Sequence, residues 1–127
     1  MMRNIFDKQV QAVLAELPET VLHLLDEVPL HIEDKPSRRL MKELHIETDD
    51  ELCGIFQGVA LNERSELHPR LPDSVTIFRK GILAQVAEEH GTISRKELRR
   101  QIRITILHEY AHLHGIDEEE LETLGYG

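Results

Sequence analysis

The sequence predicts an α+β (α/β) fold in which a small mixed sheet of about three strands packs against four or five helices. Two observations support this prediction. Apolar residues recur at helical spacing in several stretches, and three shorter stretches have the alternation or the β-branched residues that strands favour. The two kinds of stretch are interleaved along the chain, and that order is typical of one small sheet covered by helices.

The predicted helices have apolar faces together with recognisable start and stop signals. Apolar residues recur four, seven, eight and eleven positions after Phe6, and Pro18 ends this first helix. The longest helix begins at a capping box formed by Ser94 and Glu97, and Gly115 is suited to end it. The predicted helices are residues 3–17, with a further turn or two at 19–26, and residues 37–44, 81–90, 94–114 and 117–124.

The three predicted strands differ in how strongly the sequence indicates them. Residues 28–32 alternate apolar and polar, and Pro29 places them at a sheet edge or at a strand start, because proline cannot donate a ladder hydrogen bond. In residues 52–59 the glycines, Gly54 among them, predict a close backbone approach or a bulge. Residues 74–79 give the clearest signal, with β-branched and aromatic residues in a row.

Composition and charge narrow the classes of function. The chain is expected to form one domain over residues 1–127, with 24 acidic against 15 basic side chains and a net charge of −9. That charge argues against general binding to nucleic acid or to an anionic membrane. The single Cys53 excludes an internal disulfide, and the lack of a signal segment or a membrane-length apolar run favours a cytoplasmic protein.

The motif that carries chemistry is H-E-x-x-H, formed by His108, Glu109 and His112 within the long predicted helix. Residues four apart lie on one helical face, so both imidazoles can reach one metal ion, and zinc readily takes nitrogen ligands. Glu109 lies about 100° round the helix from His108, outside the ligand set but near a water that the metal would acidify. This spacing is typical of a metallopeptidase with Glu109 as its general base.

The position of the motif argues against a chance match. Basic residues give the first half of the helix a solvent-exposed side, whereas from Ile104 onward the helix is apolar on nearly all sides, as in a buried helix. Unpaired polar groups are costly to bury, so two histidines and a glutamate in that half need a functional reason.

The chain resembles one family over nearly its whole length, the small bacterial zincin-like metallopeptidases with a minimal zincin fold. The resemblance is carried by IFQGVALNERS (55–65), LPDSVTIFRKGIL (71–83) and ITILHEYAHLHGIDEEELETLGYG (104–127), and the last is the most specific. It implies a zinc site on the long helix beside a short sheet, and a peptidase assignment that depends mainly on the motif. By similarity to other zincins, a substrate strand lies along an exposed sheet edge, and residues 74–79 are the predicted edge.

The third zinc ligand is expected just beyond the long helix. The motif followed by Gly115 is similar to the order of residues in metzincins. In that family the third ligand is usually a histidine, and it comes three residues after the glycine. The corresponding position in this chain is Glu118. Gly115 can turn the chain back toward the metal, and Asp117 is placed to cap the terminal helix, which leaves Glu118 freer to bind. Asp117, Glu119 and Glu122 remain alternatives.

Two functions remain open from the sequence. The first is a zinc-dependent peptidase that acts on a peptide or protein substrate, with no nucleic acid or membrane partner. The second is a non-catalytic zinc-binding module, structural or regulatory, in which acidic residues complete the ligand set. The peptidase is favoured because Glu109 has no necessary role in a structural site. Tyr126 could stabilise an oxyanion, although packing of the terminal segment is the preferred interpretation.

Overall fold

The computed structural model describes residues 2–57 and 73–113, which contain five helices and three strands. In chain order these are α1 (Met2–Glu16), α2 (Glu19–Glu27), β1 (Leu30–Glu33), α3 (Arg38–Leu44), β2 (Gly54–Gln57), β3 (Ser74–Phe78), α4 (Arg79–His90) and α5 (Arg95–Leu113). The α+β class is confirmed. The predicted terminal helix at 117–124 lies outside the described residues. None of the described helices is both long and apolar enough to cross a membrane.

The three strands form one mixed sheet in the order β1–β3–β2. β1 runs parallel to β3, and β2 runs antiparallel to it. β3 is therefore central, and its last four residues are all buried. The prediction that residues 74–79 form an exposed sheet edge is wrong. A run of β-branched and aromatic residues suits a strand that is covered on both faces, and such a strand belongs in the middle of a sheet.

β1 lies at one edge of the described sheet, as Pro29 predicts. Pro29 stands just before the strand, and its carbonyl accepts a hydrogen bond from the N–H of Val75 at 3.0 Å. Because Pro29 pairs through its carbonyl, the N–H that proline lacks does not remove a hydrogen bond between the strands. β2 lies at the opposite edge of the described sheet.

α4 begins at Arg79, two residues earlier than predicted, because the chain passes from β3 into the helix without a loop. The Arg79 side chain is only 14% exposed. Its Nε and Nη2 atoms donate to Asp7 at 3.0 and 3.1 Å, and Nη1 donates to Asp34 at 2.8 Å. Asp34 also pairs with Arg3, and these two guanidinium groups hold the pKa of Asp34 below its usual value. These ion pairs join α1, the residue after β1 and the start of α4.

The core lies between the sheet and the helices α1, α4 and α5. The apolar face predicted for α1 is confirmed, since Phe6, Val10 and Val13 are buried. On the other elements the fully buried side chains are Val75, Ile77, Phe78, Ile82, Val86, Leu98, Ile102, Ile106 and Tyr110. The long helix α5 thus contributes its own apolar side to the same core as the central strand.

Gly81 allows α4 to lie directly against the segment that leads into β2. A Cβ atom at Gly81 would lie 1.9 Å from the carbonyl oxygen of Leu52 and 3.0 Å from the backbone nitrogen of Cys53. These obstacles are backbone atoms, which cannot rotate away as the end of a side chain can. The packing of α4 beside β2 therefore depends on the absence of a side chain at this position.

We expect Gly81→Ala to lower the free energy of unfolding by about 3 kcal/mol, because overpacking forces α4 away from the Leu52 backbone. Gly91→Ala is the control. Gly91 has a φ of 75° but open space around its Cβ position, so this variant should cost only about 1 kcal/mol. Chemical denaturation measures both values, and an equal cost for the two variants would contradict the assigned clash.

Candidate metal centre

α5 carries the predicted metal motif, and its start is capped as the sequence predicts. The Ser94 hydroxyl oxygen accepts a hydrogen bond from the N–H of Glu97 at 3.2 Å. That bond satisfies one of the N–H groups that a helix leaves unpaired at its start. The Glu97 carboxylate lies 3.3 Å from Nδ1 of His90, so it also links α5 to the end of α4.

The second half of α5 is the buried half, as predicted. Most of the basic residues in the first half are exposed. Between Thr105 and Ala111, all residues are buried except His108 and Glu109 of the motif, which are partly exposed. The buried Thr105 hydroxyl donates to the carbonyl of Gln101 at 2.9 Å. The motif therefore lies where the helix is held most firmly by its surroundings.

Tyr110, within the motif, fixes this part of α5 to the end of α2. Its side chain is buried, and its hydroxyl donates to the carbonyl of Val28 at 2.7 Å. Burial raises the pKa of Tyr110, so the hydroxyl stays a neutral donor. The sequence prediction did not include this role. The available signal was a tyrosine in an apolar helix, because a buried tyrosine usually bonds its hydroxyl to a partner.

Glu109 packs against β2, on the side of α5 that faces the sheet. Its side chain is 15% exposed, and its carboxylate lies near the N–H of Phe56. Burial raises the pKa of Glu109, while the nearby His112 and the Phe56 N–H act in the opposite direction. Glu109 is thus a largely buried carboxylate on the sheet side of α5, and it still reaches the neighbourhood of His112.

The N–H of Phe56 points away from β3, toward the outer edge of β2. The N–H of Phe78 donates to the carbonyl of Cys53, and Ile55 lies opposite Thr76. Hydrogen-bonded residues alternate along an antiparallel strand, so Cys53 and Ile55 face β3 while Gly54 and Phe56 face outward. Glu109 therefore lies at the outer edge of β2.

His108 and His112 occupy successive turns of α5, and neither side chain is fully buried. His108 is half-buried on the wall of a cavity of about 300 Å³ between α4 and α5, which Glu89 and Gln101 also line. The His112 side chain is 51% exposed, and its Nδ1 lies 3.6 Å from Oε2 of Glu109. That separation is too long for a hydrogen bond, so it is an electrostatic contact.

The donor set on α5 fits zinc in its chemistry, because two imidazoles one turn apart are the nitrogen ligands that this metal prefers. Within residues 2–57 and 73–113, no group of three or more histidine, cysteine, aspartate or glutamate side chains is assembled for a metal ion. The predicted third ligand Glu118, its alternatives Asp117, Glu119 and Glu122, and Tyr126 lie outside the described residues, so those assignments stay predictions.

Gly54 allows α5 to approach β2 closely enough for Glu109 to reach the strand. A Cβ atom at Gly54 would lie 2.9 Å from Cγ2 of Thr105, 3.2 Å from the carbonyl oxygen of Thr76 and 3.4 Å from Cγ of Glu109. The predicted close approach at this glycine is therefore confirmed. The sequence did not indicate that its partner is the motif helix, because the two residues in closest contact, Gly54 and Thr105, are far apart in the chain.

We expect Gly54→Ala to lower the free energy of unfolding by about 1–3 kcal/mol, because the added methyl group pushes α5 away from β2. Thr105→Ser removes the nearest obstacle, the Cγ2 methyl group. The double variant Gly54→Ala/Thr105→Ser should therefore be more stable than Gly54→Ala alone, with a coupling of about 0.5–3 kcal/mol. Thermal denaturation of the four proteins measures this coupling. If the changes in unfolding free energy of the two single variants simply add in the double variant, the Thr105 contact does not limit how closely α5 approaches β2.

A sequence profile of the zincin-like metallopeptidases matches residues 25–127. A search of curated proteins finds no match to the chain. The matched residues include all three strands, α4 and the whole of α5 with its motif, and the small mixed sheet with five helices agrees with the fold that the resemblance implies. The chain belongs to the zincin-like metallopeptidase family.

Proposed function

We propose that this protein is a zinc-dependent peptidase in which His108 and His112 bind the metal and Glu109 is the general base. The observation that carries the proposal is the setting of Glu109, a largely buried carboxylate beside the outward N–H of Phe56, 3.6 Å from Nδ1 of His112 and one residue from His108. Membership of the zincin-like metallopeptidase family supports the same assignment.

The two histidines suit a shared metal ion because they lie on successive turns of a helix that is fixed on several sides. Tyr110 bonds to Val28, and Thr105 packs at Gly54, so the backbone that carries both imidazoles has little freedom. Ligands on a rigid element keep their spacing without a further entropy cost on binding. We propose Glu118 as the third protein ligand, with Asp117, Glu119 and Glu122 as the alternatives.

In the proposed reaction, a bound zinc ion supplies Lewis acidity at the scissile carbonyl. Glu109 takes a proton from the attacking water and later donates it to the leaving amine. The carboxylate lies beside the outward N–H of Phe56, so a peptide along the outer edge of β2 would be next to the base. Tyr110, bonded to Val28, holds the helix and takes no part in proton transfer.

We also propose that an extended substrate lies along the outer edge of β2, in place of the edge predicted at residues 74–79. Backbone pairing with a sheet edge is a common way to bind peptides. The outward groups of Gly54 and Phe56 are the ones available for such pairing in the described strand, and Glu109 lies near Phe56. Substrate pairing at Phe56 would therefore take place beside the base.

The first test is zinc content. We expect about one zinc ion per chain in metal-replete protein and loss of most of it in His108→Ala/His112→Ala, because a catalytic zinc depends on few protein ligands. His31→Ala is the control, since His31 is exposed on β1 at the other edge of the sheet. Zinc content that is equal in wild type and the double variant, measured by elemental analysis, would refute the ligand assignment.

The same assay distinguishes the third-ligand candidates. Glu118→Gln should weaken zinc binding severely, whereas Glu119→Gln should have little effect, because only one of these neighbours is proposed to bind. If Glu118→Gln titrates with zinc as wild type does, the assignment moves to Asp117.

The second test is the role of Glu109. Glu109→Gln keeps an oxygen that can accept the Phe56 N–H but removes the basic carboxylate, so we expect wild-type zinc content and hydrolysis reduced by about 10²–10⁴-fold. A library of peptides with zinc-loaded protein measures the hydrolysis. Unchanged turnover would show that Glu109 is not the base. Loss of zinc would make Glu109 a ligand or a structural residue, and it would favour the non-catalytic zinc-binding module.

A further inference from the structure

The first half of α5 carries an unusual density of positive charge for an acidic protein. Of the 15 basic residues in a chain with net charge −9, five lie within residues 95–103. Four of them surround a hollow of about 210 Å³ between α5 and α1, which Val13 and Glu16 of α1 also line. We call these four residues the basic patch: Lys96, Arg99, Arg100 and Arg103.

The basic patch is electrostatically unfavourable for the helix that carries it. Several of its members lie three or four positions apart, where like charges repel each other, and Lys96 lies in the first turn, where the helix dipole disfavours cations. Within the described residues, none of the four forms an ion pair, and Arg99 donates only to the neutral Gln9 at 3.0 Å. Glu16 also lines the hollow, and among the described residues it forms no ion pair with the patch. Ion pairing within the described part of the chain therefore does not account for these charges.

The basic patch lies away from the proposed metal centre. Arg99 and His108 are nine residues apart, as are Arg103 and His112. At 100° per residue, nine residues place two side chains on roughly opposite faces of a helix. Only Arg100 reaches the wall of the cavity beside His108. A partner held by the patch would therefore bind on a separate surface, whether or not the proposed peptidase reaction takes place.

We propose that the basic patch is a docking surface for a short acidic segment of another polypeptide. Positive side chains without counter-charges attract carboxylates, and the hollow beside the buried Val13 gives one apolar side chain of such a segment a place to insert. Residues 95–103 extend along only about 12 Å of helix axis, which matches a few residues of extended chain. A long polyanion would meet the repulsion of the surrounding acidic protein.

The test uses a short fluorescent polyglutamate peptide and measures its binding by anisotropy. We expect binding at low ionic strength that weakens as salt is added, since exposed charges are screened over about 8 Å at physiological salt. Lys96→Gln/Arg100→Gln/Arg103→Gln should bind the peptide at least about tenfold more weakly. Lys8→Gln/Arg38→Gln/Lys42→Gln removes the same charge from other exposed positions and should bind nearly as wild type does.

Three outcomes would overturn the proposal. Equal weakening by the two triple variants would show an effect of net charge rather than of the patch. Tighter binding of a single-stranded DNA oligonucleotide of similar length, lost in the patch variant, would identify a nucleic acid surface instead. A large fall in the melting temperature of the patch variant would show that the charges serve the fold. We expect that temperature to stay equal or to rise, because the substitutions relieve repulsion.

Discussion

The close contact between α5 and β2 at Gly54 is the constraint on which the candidate centre depends. A helix normally stands off a sheet by the length of its side chains, but here the missing Cβ lets Thr105 and the stem of Glu109 approach the strand backbone. That approach brings the Glu109 carboxylate within reach of the Phe56 N–H. Because Phe56 faces outward, the same contact places the carboxylate at the sheet edge rather than inside the core.

Burial near this contact is tolerated because the buried hydroxyl groups of the helix have partners. The Thr105 hydroxyl bonds to Gln101 in the preceding turn, and the Tyr110 hydroxyl bonds to Val28. A lost partner for any of these groups would cost about 1–3 kcal/mol. These bonds leave the motif helix with one favoured position against the sheet, and a site that requires two ligands and a base in fixed relation benefits from that rigidity.

The sequence predicts those parts of the structure that depend on local periodicity. The apolar face of α1, the Ser94 cap and the buried second half of α5 are all expressed within one or two helical turns, so they can be read without knowledge of the fold. The place of β3 cannot be read in this way. Its central position depends on pairing with β1 and β2, both distant in the chain, although its run of β-branched and aromatic residues was a usable signal.

The residues that contact the motif helix also could not be predicted from local sequence patterns. H-E-x-x-H predicts two histidines and a glutamate on neighbouring faces of a helix, and the structure adds what they pack against. Gly54 was recognisable as a point of close approach, but the identity of the approaching helix required tertiary structure. Tyr110 was overlooked because its hydrogen-bond partner, Val28, precedes it by most of the chain.

α5 therefore combines two opposite electrostatic situations in one helix. The helix dipole favours positive charge near the C-terminal end, so a cation bound by His108 and His112 would be stabilised there by the same backbone that binds it. At the N-terminal end the dipole disfavours positive charge, yet Lys96 lies in the first turn and Arg99 and Arg100 follow in the next. The Ser94 cap offsets part of that cost, but it does not require basic residues. Because the described fold gives these charges no counter-ions, an external acidic partner is the simplest physical reason for their position.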